Sequence, residues 1–429
     1  MTVEAPPAVA RARLWPLATG TFAIGFGSYV MAGLVPSVSA DLDVPVTRVG
    51  TLVSVYGFTY AVATPLLTLL VRRLPRRLLM CLALALFALT AAATALATTY
   101  TAVAVLRGLS AVAAGGFTPT ATVLAARLAP PGGRGRAVAT VFGGLTTATV
   151  LGSPAGNLLG PVLGYRGVYA LVAVLALVAL ASVLWLIRTP APVDLDVVGP
   201  ARVSSAPVGT TPVGPAPVDP APVGPALVGP LLAERTPGTG RALPLLIAVT
   251  LLISMLETAS ALMVQTYASP MLTELARITG AVLSVVLLAY GLAGVAGNVV
   301  GGRLADRYGA ARSIVLALGT SALALFLLAP STRSVVMAVA VFALWGFAAW
   351  AMNSPLQNVL LALSGRHGQL VVALNSSVIS LGTGVGALAG GWVIAGLGYE
   401  WLGVAAGVVM LVAVGLVTVL GRRPAVRAV

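Results

Sequence analysis

The feature that most constrains this chain is a succession of apolar runs, each about 20 residues long. A helix rises 1.5 Å per residue, so about 20 apolar residues cross the ~30 Å hydrocarbon core of a bilayer. Such a window, moved along the 429 residues, finds twelve candidate spans. They lie near 14–37, 47–70, 77–98, 101–128, 136–163 and 167–187, then 243–267, 279–303, 311–330, 334–363, 369–396 and 400–421. Only 8% of the residues are charged and 59% are hydrophobic, whereas a soluble domain carries about 25% charged residues. Water cannot be the main solvent of such a surface. An all-α membrane protein is expected. The first run, from Leu14, is long enough to remain as a span and lacks the small-residue cleavage site of a signal peptide.

The net charge of +14 would point to nucleic acid in a soluble protein. Here the arginines lie between apolar runs, where they report topology. Twenty of the 25 fall on one side of the predicted spans, four on the other, and Arg107 lies inside a span. The positive-inside rule then places both termini in the cytoplasm, as an even number of spans requires. An inner-membrane, multi-pass location follows. No basic residue is a lysine, so a Walker A loop with its phosphate-binding Lys is excluded. Cys81 and His367 are each alone, which excludes an intrachain disulfide and an HExxH metal site. His367 reads as a loop residue between spans. No cofactor and no metal are expected.

Residues 189–241 interrupt the pattern with a Pro/Gly/Ala/Val-rich run, extended or disordered by composition, that reads as a spacer or a partner-docking segment. The expected organisation is a tail at 1–13, a six-helix bundle at 14–188, the linker at 189–241, a second six-helix bundle at 242–421 and a tail at 422–429. The bundles resemble each other at an offset of 234: Pro36 maps on Pro270, Tyr56 on Tyr290, Arg73 on Arg307, Gly152 on Gly386, Gly156 on Gly390, and Gly164-Tyr165 on Gly398-Tyr399. Parallel six-helix repeats imply a pseudo-two-fold along the membrane normal, with a binding site at midplane between the halves.

Several segments resemble the major facilitator superfamily. Between the eighth and ninth spans, Gly301-Gly302-Arg303-Leu304-Ala305-Asp306-Arg307-Tyr308-Gly309 is similar to that family's G-x-L-A-D-R-x-G loop motif. Leu106-Arg107-Gly108 resembles its buried arginine in the fourth span. Gly152-Ser153-Pro154-Ala155-Gly156-Asn157-Leu158-Leu159-Gly160 in the fifth span resembles the antiporter glycine/proline motif. Gly164-Tyr165-Arg166-Gly167 and Ala32-Gly33-Leu34-Val35-Pro36 are similar to segments of the drug-exporter branch, including chloramphenicol and arabinose exporters. The resemblance implies twelve helices and proton-coupled export of a small molecule. Two departures stand out. Ser28 and Tyr29 lie near where that branch usually carries an acid, and the first-half loop, Val71 to Arg77, has none.

The residues themselves support a transport reading. Arg107 and Glu257 are the two intramembrane charges, which are costly enough to mark functional sites. Ala111, Ala114 and Thr118 share the face of Arg107; Ser254, Thr258, Ala261 and Gln265 share that of Glu257 at 100° per residue. A carboxyl exchanges protons and an arginine does not, so Glu257 is the intramembrane proton carrier of this reading, with a structural hydrogen-bonded role as the alternative. Trp350, Asn353, Ser354 and Gln357 on one face of the tenth span, with Tyr29, Tyr56, Tyr290, Asn298 and Asn375, complete a candidate cavity for an amphipathic molecule. Gly152, Pro154, Gly156 and Gly160 are expected to pack closely and shape a hinge. Gly302, Arg303, Asp306, Arg307 and Gly309 are expected to form a cytoplasmic latch, with Asp306 paired to a cation or capping the next helix.

The expected function is secondary efflux of a drug-like compound or secondary metabolite, chloramphenicol-type antibiotics in particular. Export of a sugar such as arabinose, or of an endogenous metabolite, is the alternative. An intramembrane enzyme lacks its acid dyad, its Ser with Lys or His, or its metal cluster. The expected partners are the bilayer, a small-molecule substrate and protons, with no nucleic acid and a monomeric state.

Overall fold

A computed structural model describes residues 14–70, 74–129, 134–187, 242–364 and 368–421. The tails at 1–13 and 422–429, the linker at 189–241, the loop arginines 72 and 73, and His367 lie outside the described residues. Among the described residues there is no strand. The helices are α1 Trp15–Leu42, α2 Val46–Leu70, α3 Arg76–Leu96, α4 Tyr100–Leu128, α5 Arg134–Leu186, α6 Ala242–Gln265 and α7 Ala268–Ala276. There follow α8 Gly280–Tyr308, α9 Ala310–Phe326, α10 Leu328–Ser331, α11 Val335–Ala351, α12 Asn353–Ser364, α13 Gly368–Leu397, a 3₁₀ turn Tyr399–Trp401 and α14 Leu402–Gly421. Backbone contacts gather the described residues of 14–187 and 246–421 into one compact unit. Among the described residues ten helical stretches are long and apolar enough to cross a membrane, and Ala310–Phe326 is a shorter apolar helix.

Four local features differ from the sequence expectation, each for a physical reason. The runs at 136–163 and 167–187 are two arms of the 53-residue α5, joined at Gly164, whose φ of 64° and ψ of 171° are non-helical and suit a residue without a Cβ. The tenth run is broken at Met352 between α11 and α12. Pro355 explains the break: it has no N–H to offer the Ala351 carbonyl four residues back. Chain 268–276, unassigned in sequence, is a short helix ended by left-handed Arg277, φ 52°. The expected loop 301–308 is helical, the last two turns of α8, and Gly309 alone makes the turn at φ 85°.

The repeat is visible in the backbone. Asp43 (φ 50°) and Arg277 (φ 52°), both left-handed, are 234 apart, as are Gly164 (φ 64°) and Gly398 (φ 93°). Inside the first half, α1 packs along α5, and α3 against α4 and α5; inside the second, α8 packs on α11 and α9 on α14. The halves meet through α2 with α13 and α5 with α8, pairs related by the same shift. A Cβ on Gly57 would lie 2.7 Å from the Gly384 nitrogen, and one on Gly291 would lie 2.9 Å from the Val150 Cα. Adding 234 turns the pair 57 and 150 into 291 and 384. One contact is made twice, and small residues there let the backbones touch.

Candidate functional site

In the first half the site is built around Arg107, which α4 carries into the bundle with 2% exposure. Its Nη1 donates to the Gly27 carbonyl (3.0 Å) and the Tyr169 hydroxyl (3.3 Å), and its Nη2 to the Ser28 carbonyl (3.4 Å). Its guanidinium lies 4.6 Å from the Tyr56 ring centroid, and Ser28 Oγ donates to the Tyr56 hydroxyl at 2.6 Å. Tyr56 stacks on Tyr60 with centroids 6.2 Å apart. Among the described residues no carboxylate pairs with Arg107, and its buried Nε has no partner. The cation is held by carbonyl dipoles, a phenol and a π face. Gly27 itself is packed tightly by Val172 and Phe87, which a Cβ there would meet at 2.8 and 2.9 Å. Ala111 and Ala114 are fully buried, so the face of Arg107 is packed rather than open.

In the second half the buried charge among the described residues is Glu257 on α6, 8% exposed. Thr258 Oγ1 lies 3.2 Å from its Oε2 and 2.9 Å from the Ser254 carbonyl. Ser254, Thr258 and Ala261 on the same face are buried and Gln265 is half-buried, so this stripe faces protein. The buried Ser254 Oγ has no partner, a group for which a water is the ordinary answer. Tyr290, the repeat mate of Tyr56, is within electrostatic reach of Glu257 and packs on Trp345 with centroids 4.5 Å apart. Each half therefore places one of two equivalent tyrosines beside its single buried charge. Tyr29 is in electrostatic reach of Tyr56, Tyr60 and Tyr290.

The remaining sequence candidates separate. Trp350 lies against Gly294, 3.0 Å from where its Cβ would be, and Asn353 is half-buried beyond the Met352 break. Gln357 and Asn298 are exposed, and the structure does not bring them to the two clusters. Asn375 is buried with its Oδ1 unpartnered.

The glycine face of α5 packs within its own half: Gly152 against Tyr29, Gly156 against Val30 and Gly33, Gly160 against Ser37 and Leu34. Gly382, Gly386 and Gly390 of α13 pack likewise on Met255, Ala259 and Met263 of α6. These glycine contacts stay within one half. What crosses is the Pro154 carbonyl, which accepts from Ser284 Oγ at 3.3 Å, and Asn157, whose Nδ2 donates to the Gly280 carbonyl (3.0 Å) and Ser284 Oγ (2.8 Å).

In this conformation the latch contact is not made. Asp306 forms no ion pair among the described residues, with Arg303, Arg307 or any other cation, and the residue before α9 is Gly309, with no side-chain cap. On a helix, Arg303, three residues before Asp306, is its potential neighbour, yet no ion pair forms; Arg307, next in sequence, lies with its guanidinium 5.3 Å from the Tyr308 ring centroid. Gly301 packs on the Ala351 carbonyl that Pro355 leaves free, while Gly302 is looser, 3.4 Å from Ser354 Oγ. Tyr169, Tyr60, Asn157 and Tyr267 were not singled out by sequence as site residues. Only Asn157 carried a signal, as a polar residue within a glycine ladder.

Two repeated helical halves, crossing at glycines and each holding one buried charge, define a multi-pass membrane transporter. The chain belongs to the Major Facilitator Superfamily, whose profile matches residues 17–267 and 251–429. It is 29% identical over 420 residues, 96% of each chain, to the inner membrane transport protein YdhP of Escherichia coli (strain K12). It is 32% identical over 295 residues, 68% of this chain and 67% of the relative, to a chloramphenicol resistance protein of Streptomyces lividans. In fold it matches a bacterial homolog of the human lysosomal transporter Spinster, solved inward-facing and unoccupied, with a TM-score of 0.72 at 16% identity, over 99% of both chains. These relatives and neighbours are transporters, not enzymes.

Proposed function

We propose that the protein is a proton-coupled exporter of a drug-like or secondary-metabolite substrate in the cell membrane, working as a monomer by alternating access. The observation that carries the reading is the pair Arg107 and Glu257: two buried charges, one in each half, neither neutralised by the other. A proton on Glu257 and a polar substrate group near Arg107 give the halves something to exchange, and each charge moved is worth about 2.3 kcal/mol per 100 mV. Around the two charges aromatics outnumber amides (Tyr29, Tyr56, Tyr60, Tyr290, Trp345 and Trp350 against Asn353 and Gln265), which favours an aromatic, amphipathic substrate over a sugar. The named resistance function of the Streptomyces lividans relative points the same way.

We read twelve spans, counting the two arms of α5, α11 with α12, and the short α9. Both termini are cytoplasmic, by the arginine asymmetry. The end of the bundle remote from Trp15 and Gly421, called distal below, then faces outward. The hydrogen bonds from Asn157 and Ser284 between halves lie at that end, which supports a conformation closed to the outside. The segment from Gly302 to Gly309 is the cytoplasmic gate of this reading, and Asp306 finds a cation when that end closes.

The test is accumulation of a labelled antibiotic panel, chloramphenicol included, in a pump-deficient bacterium carrying the protein, with and without a protonophore. Lower accumulation restored by the protonophore is the expected result. Unchanged accumulation of the whole panel rejects antibiotic export.

A further inference from the structure

At the distal end the repeat makes the same crossing twice, but with large and small residues exchanged. In the first half, Asn157 of α5 lies against Gly33 of α1, whose Cβ would be 2.7 Å from the Asn157 nitrogen. Adding 234 gives Gly391 and Tyr267. In the second half, accordingly, the large polar residue is on the α6 side and the glycine on α13, with a Cβ on Gly391 falling 2.7 Å from the Tyr267 hydroxyl. Each large residue then reaches into the opposite half. Asn157 Nδ2 donates to Gly280 O and Ser284 Oγ, and Ser269 Oγ donates to Asn157 Oδ1 at 3.3 Å. Tyr267, fully buried, packs its hydroxyl on Gly50, donates to the Ala387 carbonyl at 2.9 Å, and lies 3.5 Å from the Thr47 carbonyl. Positions 50 and 284 are again 234 apart. Both large residues therefore engage the same repeat position of the other half.

We infer that Asn157 and Tyr267 are the paired gate residues of the distal end, one locking it by hydrogen bonds and the other by filling a two-glycine slot. The inference rests on the alternating-access reading but on no assignment of substrate or coupling ion. The two locks differ in kind. Asn157 uses three hydrogen bonds across the interface, each replaceable by water when the halves part. Tyr267 uses shape, since Gly50 leaves room for its hydroxyl and any Cβ there would collide with it. In an apolar medium an unpaired amide is costly, so Asn157 holds the halves together until water can reach it.

The test reads conformation directly, without substrate. In a Cys81→Ser background, spin labels at Asp41→Cys and Glu274→Cys, both exposed and in opposite halves at the distal end, report its opening as a distance distribution. Asn157→Ala is expected to raise the open-to-closed ratio at least about tenfold, the lower end of the scale for losing three hydrogen bonds. Gly50→Ala is expected to open the distal end as well, because its new methyl meets a residue of the other half. Gly144→Ala is the control. Its methyl meets the Ala18 carbonyl within the same half, at the end nearer Trp15, so it lowers thermal stability and leaves the distances unchanged. Unchanged distances in both Asn157→Ala and Gly50→Ala, in folded monodisperse protein, overturn the inference. Equal opening by Gly144→Ala also overturns it, by showing a general loosening. A transport assay that fails in all variants, with the distances as expected, counts against the substrate reading alone.

Discussion

Replacing Arg107 by Met keeps much of the side-chain volume and removes the charge. Three hydrogen bonds from a charged donor are lost (3.0, 3.3 and 3.4 Å), together with the cation–π contact to Tyr56. Such bonds contribute about 1.5–3 kcal/mol each, and the cation–π contact about 0.5–2 kcal/mol. On the other side, an ion without a carboxylate partner pays a desolvation cost of several kcal/mol, which Met relieves. The acceptors left behind are two carbonyls within α1 and the Tyr169 hydroxyl, which still has the Met31 sulfur 3.6 Å away. The terms nearly cancel, so Arg107→Met is expected to change stability by no more than about 2 kcal/mol. The apparent unfolding temperature in detergent is therefore expected to move only a few degrees, in either direction, while energised transport falls at least tenfold. The assay is scanning fluorimetry alongside uptake of labelled substrate into inverted vesicles. A fall of more than about 10 °C with transport per folded molecule intact would refute the reasoning and make Arg107 a structural strut.

Three further substitutions test the architecture. Gly57→Leu and Gly291→Leu each press a side chain into the backbone of the opposite half, so each should cost about 1–3 kcal/mol and slow transport, with similar effects from both because they are repeat mates; unequal effects on transport rate, measured in the same vesicles, would count against the symmetric crossing. Pro355→Ala restores an N–H toward the Ala351 carbonyl and should join α11 to α12, giving added amide protection at 351–356 in hydrogen exchange together with slower transport; unaltered exchange there would remove Pro355 as the cause of the break.

Much of the fold could be read from local pattern. Helices in lipid satisfy their own backbone, so apolar length locates them, and arginines outside them order the loops. The 234-residue offset was readable from Pro36, Tyr56 and Gly164, and recurs in backbone torsions at Asp43 and Arg277. Arg107 and Glu257 stood out because a charge within an apolar run has few bland explanations. What eluded the sequence depends on docking. Tyr169 meets Arg107 from 62 residues away, and Asn157 meets Ser284 from 127, distances at which helical periodicity carries no information. The stripe Trp350, Asn353, Gln357 assumed an unbroken helix, and the Met352 break displaces its second half. The loop motif at 301–309 was misplaced by its charges, which look like a loop but decorate the end of a helix projecting past the apolar run.

The most direct test of the central claim is transport by purified protein in proteoliposomes under an imposed pH gradient, comparing wild type with Glu257→Gln. The substrate is the compound identified by the accumulation panel. The account predicts that wild type concentrates it against its gradient when protons flow the opposite way, and that a counter-gradient of substrate moves protons. Glu257→Gln should lose uphill transport and proton movement yet keep downhill exchange of labelled for unlabelled substrate, because the neutral amide retains the shape of the protonated acid. Uphill transport by Glu257→Gln at the wild-type rate would contradict the account and place the coupling elsewhere in the bundle.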